Sequence, residues 1–501
     1  MVENIVTTPQ AEQAYTARQL NPANPNLARS ASVPAVLGYR AYVAALAKVI
    51  YYWGYPFVDI TGRTSQWQVM KEPGTLAGLV PAGPMGKMGY LSDYFPRSQR
   101  WVVTPNNDTI YTSALGDLSK GPIVIQTPTE VPKGQYWTVQ IADGFSNVIH
   151  QLGSRARTPG GKFLLVGPEW EGTSPEGFVD VLRMPTNLVW VPARSFVAPT
   201  PESRTQSLAV LGQIGMYPLS ENLPGLKKFD PVAISKNAVY PPGVTPKQLA
   251  ADPDAFRPQW VIPSAFWPSL GKALAMSPKV GPDDLGMAEQ ARTLVALYAS
   301  DPAYKALLDQ VALEADTELR AGAKYEHVGV DAGNGWQRQE NAGVWGSDWF
   351  GRAQAAVVYI MVNDHREAIY FIRATDADGR PVNGKYRYTI TFPKGGLPPV
   401  DPERGGFWSL TMYTDELFML TDPQNGRANI GTVNLNAEQL KFNADGSLTL
   451  FLSSEEPAAA VGKANWLPAP DGGFALCLRT YVPTEALLNG SYKLPNVVRA
   501  L

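Results

Sequence analysis

Apolar residues recur every three or four positions in the first helical pattern of the chain, at Tyr39, Val43, Leu46, Ile50 and Trp53. That spacing lays one apolar stripe along a helix. Ser32 and Pro34 supply a start signal, a capping hydroxyl followed by a residue suited to a first helical turn. A helix is therefore expected over 35–59, after an extended tail over 1–34 that is rich in Asn, Pro, Thr and Gln. The apolar run "AYVAALAKVIYYWGYPF" is broken by Lys48 and closes on Gly54 and Pro56. This predicts a core helix and no membrane span.

From 60 to 199 the texture changes. "GPIVIQTP", "QYWTVQIADG", "KFLLVGPEW" and "NLVWVPARSF" are short β-branched and aromatic runs divided by Gly, Pro and Asp, the texture of a β-sandwich or barrel. From 200 to 322 the pattern is helical, with Asp near the starts of "GPDDLGMAEQARTLVALYAS" and "DPAYKALLDQVALEADTELRAG", where the helix dipole favours negative charge. From 323 to 501 it returns to strands. Tyr386, Tyr388, Ile390 and Phe392 alternate with polar residues in "YRYTITF", and "GFWSLTMYT", "SLTLFLSS" and "FALCLRTYV" repeat the pattern. Two packed antiparallel sheets are expected there. The fold class is mainly β with an α-helical layer.

Several long strings resemble known families. "TPNNDTIYTSALGDLSKGPIVI", "YWTVQIADGFSN", "GSRA", "FLLVGPEWEG" and "PTNLVWVPAR" resemble a bacterial domain of unknown function, number 1254. "EAIYFIRATDADGRPVNGKYRYTITFPKGGLPPV", "FWSLTMY", "NADGSLTLFLSS" and "NWLPAPDGGFALCLRTYVP" resemble its C-terminal companion, domain of unknown function 1214. The resemblance implies an immunoglobulin-like sandwich, a small helical domain and a C-terminal jelly-roll sandwich. Many members are exported bacterial proteins, whereas "MVENIVTTPQ" has no signal-peptide pattern. A cytoplasmic location is expected for the chain as it stands, and a periplasmic one if a signal was removed.

Composition then removes whole classes of function. A formal net charge of −2 and the lack of any basic block leave no footprint for nucleic acid. Without GxGxxG or GxxxxGK[ST], no nucleotide cofactor is expected. No GxSxG elbow is present. The single cysteine, Cys477, reads as a small buried side chain in a strand. Only three histidines occur, without a strong zinc spacing. "KYEHVGVD" and "VNDHREAIYF" nevertheless place Glu326, His327, Asp364, His365 and Glu367 where folding could assemble a mixed nitrogen and oxygen site. Paired structural histidines are the plainer reading; a divalent metal at Glu326, His327 and His365 is the alternative to test.

The chemistry-bearing residues otherwise gather at strand ends. Asn106, Asn107 and Asp108 precede one strand, Asp143 and Asn147 follow another, and Arg155 and Arg157 lie just beyond. Turn residues bonding their own backbone explain Asn and Asp equally well, but turns do not require arginine. Asp108, Tyr111, Asp143, Arg155 and Glu367 are the expected catalytic group. Asn106, Asn107, Asn147, Tyr136, Trp137, Tyr370 and Trp466 are expected to bind substrate, with Trp466 exposed by its Pro-rich loop and Trp408 in the core. Asp108 is expected to face outward with Arg155 as its cation.

Two functional classes remain. One is an enzyme of hydrolase or lyase type, acting on a small or oligomeric polar molecule in an inter-domain cleft. The other is a non-catalytic protein for ligand or carbohydrate binding or for assembly. A small-molecule or sugar-like ligand and a homo-oligomer are the expected partners.

Overall fold

The stripe of Val43, Ile50 and Trp53 is buried on the long helix Arg40–Trp67. The computed structural model describes residues 39–67, 69–254, 256, 258–323, 329–359 and 361–500. The tail, Ser32 and Pro34 lie outside the described residues. Tyr39 is 71% exposed and precedes the helix. The helix does not stop near 59: it carries Pro56 inside it and runs on to Trp67. Burial explains the extension. Tyr51, Trp53, Phe57, Val58 and Ile60 are all inside, and packing on every side outweighs local stop signals. Polar residues in the extension find partners within the helix. Arg63 bonds Asp59 one turn back, and the Thr64 hydroxyl donates to the Thr61 carbonyl.

Around this helix pack Phe266–Met276, Leu285–Ser300, Pro302–Gly322 and Trp349–Val358. They share one core that includes Trp53, Phe57, Trp267, Leu270, Leu294, Leu308 and Leu319. Asp301 caps Pro302–Gly322 by accepting from the backbone N–H groups of Ala303 and Tyr304, as an N-cap aspartate should. The stretch read as helical also holds a strand, Gly215–Pro218, which pairs with Ile123–Thr127 and extends the first β unit.

That first unit has two facing sheets. One runs Gly89–Tyr90, Thr109–Asp117, Leu188–Phe196, Trp137–Asp143, Val148–Gly153 in spatial order. The other runs Gly215–Pro218, Ile123–Thr127, Gly161–Val166, Asp180–Arg183. Ile110, Val139 and Val191 from one meet Ile125, Phe163 and Leu165 from the other in a single core.

The second β unit is built likewise. A six-stranded sheet contains Ala368–Arg373, Phe474–Tyr481 and Phe407–Thr414 as neighbours. A four-stranded sheet contains Trp466–Pro468, Leu448–Ser453 and Tyr388–Phe392. Tyr388, Ile390, Phe392, Leu448 and Leu450 join Trp408, Leu410 and Leu478 in its core. Three expectations need correction here. Tyr386 lies before the strand and is 36% exposed. Trp466 is 2% exposed: it begins a short strand, and its indole N–H donates to the Ser453 carbonyl. That strand pairs in parallel with Leu448–Ser453, so the sheet is not purely antiparallel. Among the described residues about 30% are helical and 25% in strands, and no sheet closes into a barrel.

Candidate functional site

Strands buried on both faces place the site. In Leu188–Phe196, Val189, Val191 and Ala193 point into the sandwich core. Trp190, Pro192 and Arg194 alternate with them and so share the opposite face. In the neighbouring strand Arg194 stands across from Tyr111, and Pro192 from Ser113. These residues form the floor of a cavity of about 130 Å³. The second β unit contributes Tyr370 and Arg479, paired across adjacent strands, and Tyr481. The helical unit contributes Arg63 and Trp260, and the irregular segment 101–106 covers one side with Trp101, Val102 and Asn106. All three units meet here.

The three arginines in the wall are held differently. Arg63 pairs with Asp59 at 2.8 Å, and its guanidinium carbon lies 5.2 Å and 4.6 Å from the ring centres of Trp190 and Trp260. Arg479 donates to the Thr411 hydroxyl, the Tyr413 hydroxyl and the Thr104 carbonyl. Arg194 is 6% exposed and has only long contacts, 3.4 Å to the Tyr111 hydroxyl and 3.4 Å to Gln140 Oε1. Its Nε has no hydrogen-bond partner among the described residues, and neither has the buried indole N–H of Trp101. Burial pushes the hydroxyls of Tyr370 and Tyr481 above their ordinary range, so both stay neutral donors.

The covering segment is strained. Thr104 has φ 46° and Leu417 φ 70°, and the Thr104 N–H donates to the Leu417 carbonyl at 2.9 Å. Left-handed backbone at a β-branched residue is costly and concentrates near ligand clamps.

The run Asn106–Asn107–Asp108 is a wall between two cavities. Asn106 faces the first: its amide donates to the Tyr481 hydroxyl at 2.6 Å, and its Oδ1 accepts the Asp108 backbone N–H. Asn107 and Asp108 border a second cavity of about 430 Å³, shared with Arg97, Arg427 and Asn434. Asp108 does not face outward and does not pair with Arg155. It is 2% exposed and accepts from the Ser409 hydroxyl and the Asn429 amide, each at 2.5 Å. Burial pushes its carboxyl up, against the opposing pull of Ser409, Arg479 and Asn429.

The other expected site residues are placed elsewhere. Arg155 pairs with Glu367 at 2.7 Å, and the Tyr136 hydroxyl donates to the other Glu367 oxygen at 2.8 Å. This trio, with Tyr136 and Glu367 buried and Arg155 half-buried, ties the two β units together and lines neither cavity. Burial raises the Glu367 carboxyl, with Tyr136 and Arg155 opposing. Asp143 and Asn147 form a turn: the carboxylate accepts from the backbone of Phe145 and Asn147 and from the Asn147 amide. Trp137 is in the sandwich core. Tyr111, Tyr370 and Asn106 do line the first cavity.

Glu326 and His327 lie outside the described residues. His365 Nδ1 lies 3.5 Å from Asp364, whose carboxylate also binds Arg366. No group of three or more His, Cys, Asp or Glu suited to a metal occurs among the described residues. Arg194 and Arg479 are not among the expected site residues, yet each carries a signal, a lone cation inside a mostly apolar strand. Such a residue needs a polar environment that the strand itself cannot supply.

Comparison with known proteins fits this architecture. Residues 85–218 match the family model described as protein of unknown function (DUF1254), and residues 367–485 match protein of unknown function (DUF1214). No curated protein matches. The crystal structure of the VPA0106 protein from Vibrio parahaemolyticus is 19% identical with a TM-score of 0.60, over 92% of this chain and 100% of that chain. The likeness is one of fold. An uncharacterized protein from Burkholderia cenocepacia is 13% identical with a TM-score of 0.42, over 93% of this chain and 96% of that one. No helix among the described residues is long and apolar enough to cross a membrane. With the two matches in this order, the chain belongs to the family that joins a DUF1254 domain to a C-terminal DUF1214 domain.

Proposed function

We propose that this chain binds a small organic molecule in the cavity where its three units meet. One observation carries the reading: the cavity joins aromatic walls from every unit, Trp101, Trp190, Trp260 and Tyr370, to a few converging donors. Ligand sites have this make-up and favour domain junctions. Among the described residues no Asp, Glu, His, Lys or Cys lines it. Asp108, Asp143 and Glu367, expected to do acid–base work, hold the structure together with their carboxylates. A hydrolase or lyase working here would have tyrosine, serine and threonine hydroxyls among the lining side chains but no carboxylate or imidazole to act as their base, so binding is the reading the geometry supports better.

The immunoglobulin-like label for the first β unit and the jelly-roll label for the second belong to the same proposal. They are supported by two facing sheets around one core in each.

A thermal-shift screen with single-ring acids, alcohols and amines tests the binding reading. At least one class should raise Tm in the wild type and fail to do so in Val102→Phe, which fills the cavity from its covering segment. No shift with any class, or equal shifts in the variant, would refute it.

A further inference from the structure

Of the three arginines in the cavity wall, two are compensated. Arg63 has the Asp59 carboxylate, and Arg479 has two hydroxyls, a carbonyl and the nearby charge of Asp108. Arg194 has no carboxylate in ion-pair range among the described residues. Its surroundings are the hydroxyl-bearing rings of Tyr111, Tyr136, Tyr370 and Tyr481, with the Tyr111 ring centre 4.9 Å from its guanidinium carbon. Glu367 feels its charge, but that carboxylate is engaged by Tyr136 and Arg155. A guanidinium stays charged at any ordinary pH, and a buried charge without a partner is expensive.

We infer that the ligand is a monoanionic carboxylate with a ring-sized apolar body, bound through Arg194; this rests on the binding reading above. The unpartnered donors at Arg194 and Trp101 call for an acceptor-only group, and an ionised carboxylate is one. A planar guanidinium matches it in two-pronged geometry. One uncompensated cation balances one negative charge, which fits a monoanion better than a phosphate dianion. Size sets the body. Apolar protein cavities of about 150 Å³ admit benzene, and this one is of about 130 Å³. Trp101, Trp190, Tyr111 and Tyr370 supply aromatic walls for a ring.

Calorimetric titration of the full chain with benzoate, benzamide and inorganic phosphate separates the parts of this inference. Benzoate should bind about tenfold or more tightly than benzamide, its neutral counterpart of similar shape, because a hydrogen-bonded charge pair is lost in the amide. Arg194→Gln should weaken benzoate by about tenfold or more and leave benzamide nearly unchanged. Benzamide binding as tightly as benzoate, or Arg194→Gln binding benzoate as the wild type does, would overturn the carboxylate inference and leave the cavity reading standing. Phosphate binding as well as benzoate would overturn the ring-sized body. If neither ring compound binds, the inference falls; the broader cavity reading falls only if the full panel of acids, alcohols and amines also fails. Should Arg194→Gln not fold, the contrast between benzoate and benzamide on the wild type decides by itself.

Discussion

Asp108 and Ser409 lie 301 residues apart in the chain and 2.5 Å apart in the fold, with the serine hydroxyl donating to the aspartate carboxylate. Asn429 donates to the other oxygen. A run that looks like a local turn is therefore a bolt between the two β units, while its neighbour Asn106 faces the central cavity.

Asp108→Ala leaves two donors from the second unit, the buried Ser409 hydroxyl and the half-buried Asn429 amide, without an acceptor. It should lower the unfolding free energy by about 1–3 kcal/mol. Urea denaturation reads this directly. A change below about 0.5 kcal/mol, the size of an ordinary surface substitution, would mean that the bond carries no load.

The Arg155–Glu367 pair makes a similar bridge, reinforced by Tyr136. Removing Arg155 alone leaves a buried carboxylate with one hydroxyl, and removing Glu367 alone leaves a cation and a phenol unpartnered. A double-mutant cycle with Arg155→Ala and Glu367→Gln should give a coupling of about 0.5–3 kcal/mol. Strictly additive losses would show that the pair is incidental.

Burial raises the Asp143 carboxyl from its usual 3.8 to about 6, against the pull of Asn147 and Arg352. The folded state then holds this proton more tightly than the unfolded state does. Its contribution to stability is full below about 4 and is lost as pH rises toward about 6. Asp59, Asp108 and Glu367 are raised as well and act in the same direction. The useful readout is therefore the difference between wild type and Asp143→Asn. The wild type should lose roughly 1–3 kcal/mol relative to the variant over that interval. Parallel stability curves would contradict the assignment.

What the sequence disclosed follows from the range of each signal. Alternation fixed on Tyr388, Ile390 and Phe392 was enough to find a half-buried strand, because the period of two is local. Gly54 and Pro56 resembled a helix end, yet the helix continues to Trp67 because the surrounding helices bury it on all sides. Pro-rich neighbours concealed the short strand that buries Trp466. Asn106 precedes a strand and Tyr111 lies near that strand's start, and both line the central cavity, since polar and aromatic groups at strand ends often meet at a cleft. The partners were not legible. Converging strand ends would give Arg155 to Asp108, and the fold gives it to Glu367, 212 residues away. Arg194 and Arg479 lie inside strands, where no turn residue marks them.

The unpartnered donors of Arg194 and Trp101 beside aromatic walls call for an occupant of the central cavity. The most direct test is a crystal of the full chain grown with 4-bromobenzoate, in which the bromine marks the ligand by anomalous scattering. The predicted result is a bromine peak among Tyr111, Trp190 and Tyr370, with carboxylate density against the Arg194 guanidinium. A cavity that stays empty at saturating ligand, or a peak confined to the outer surface, would contradict it.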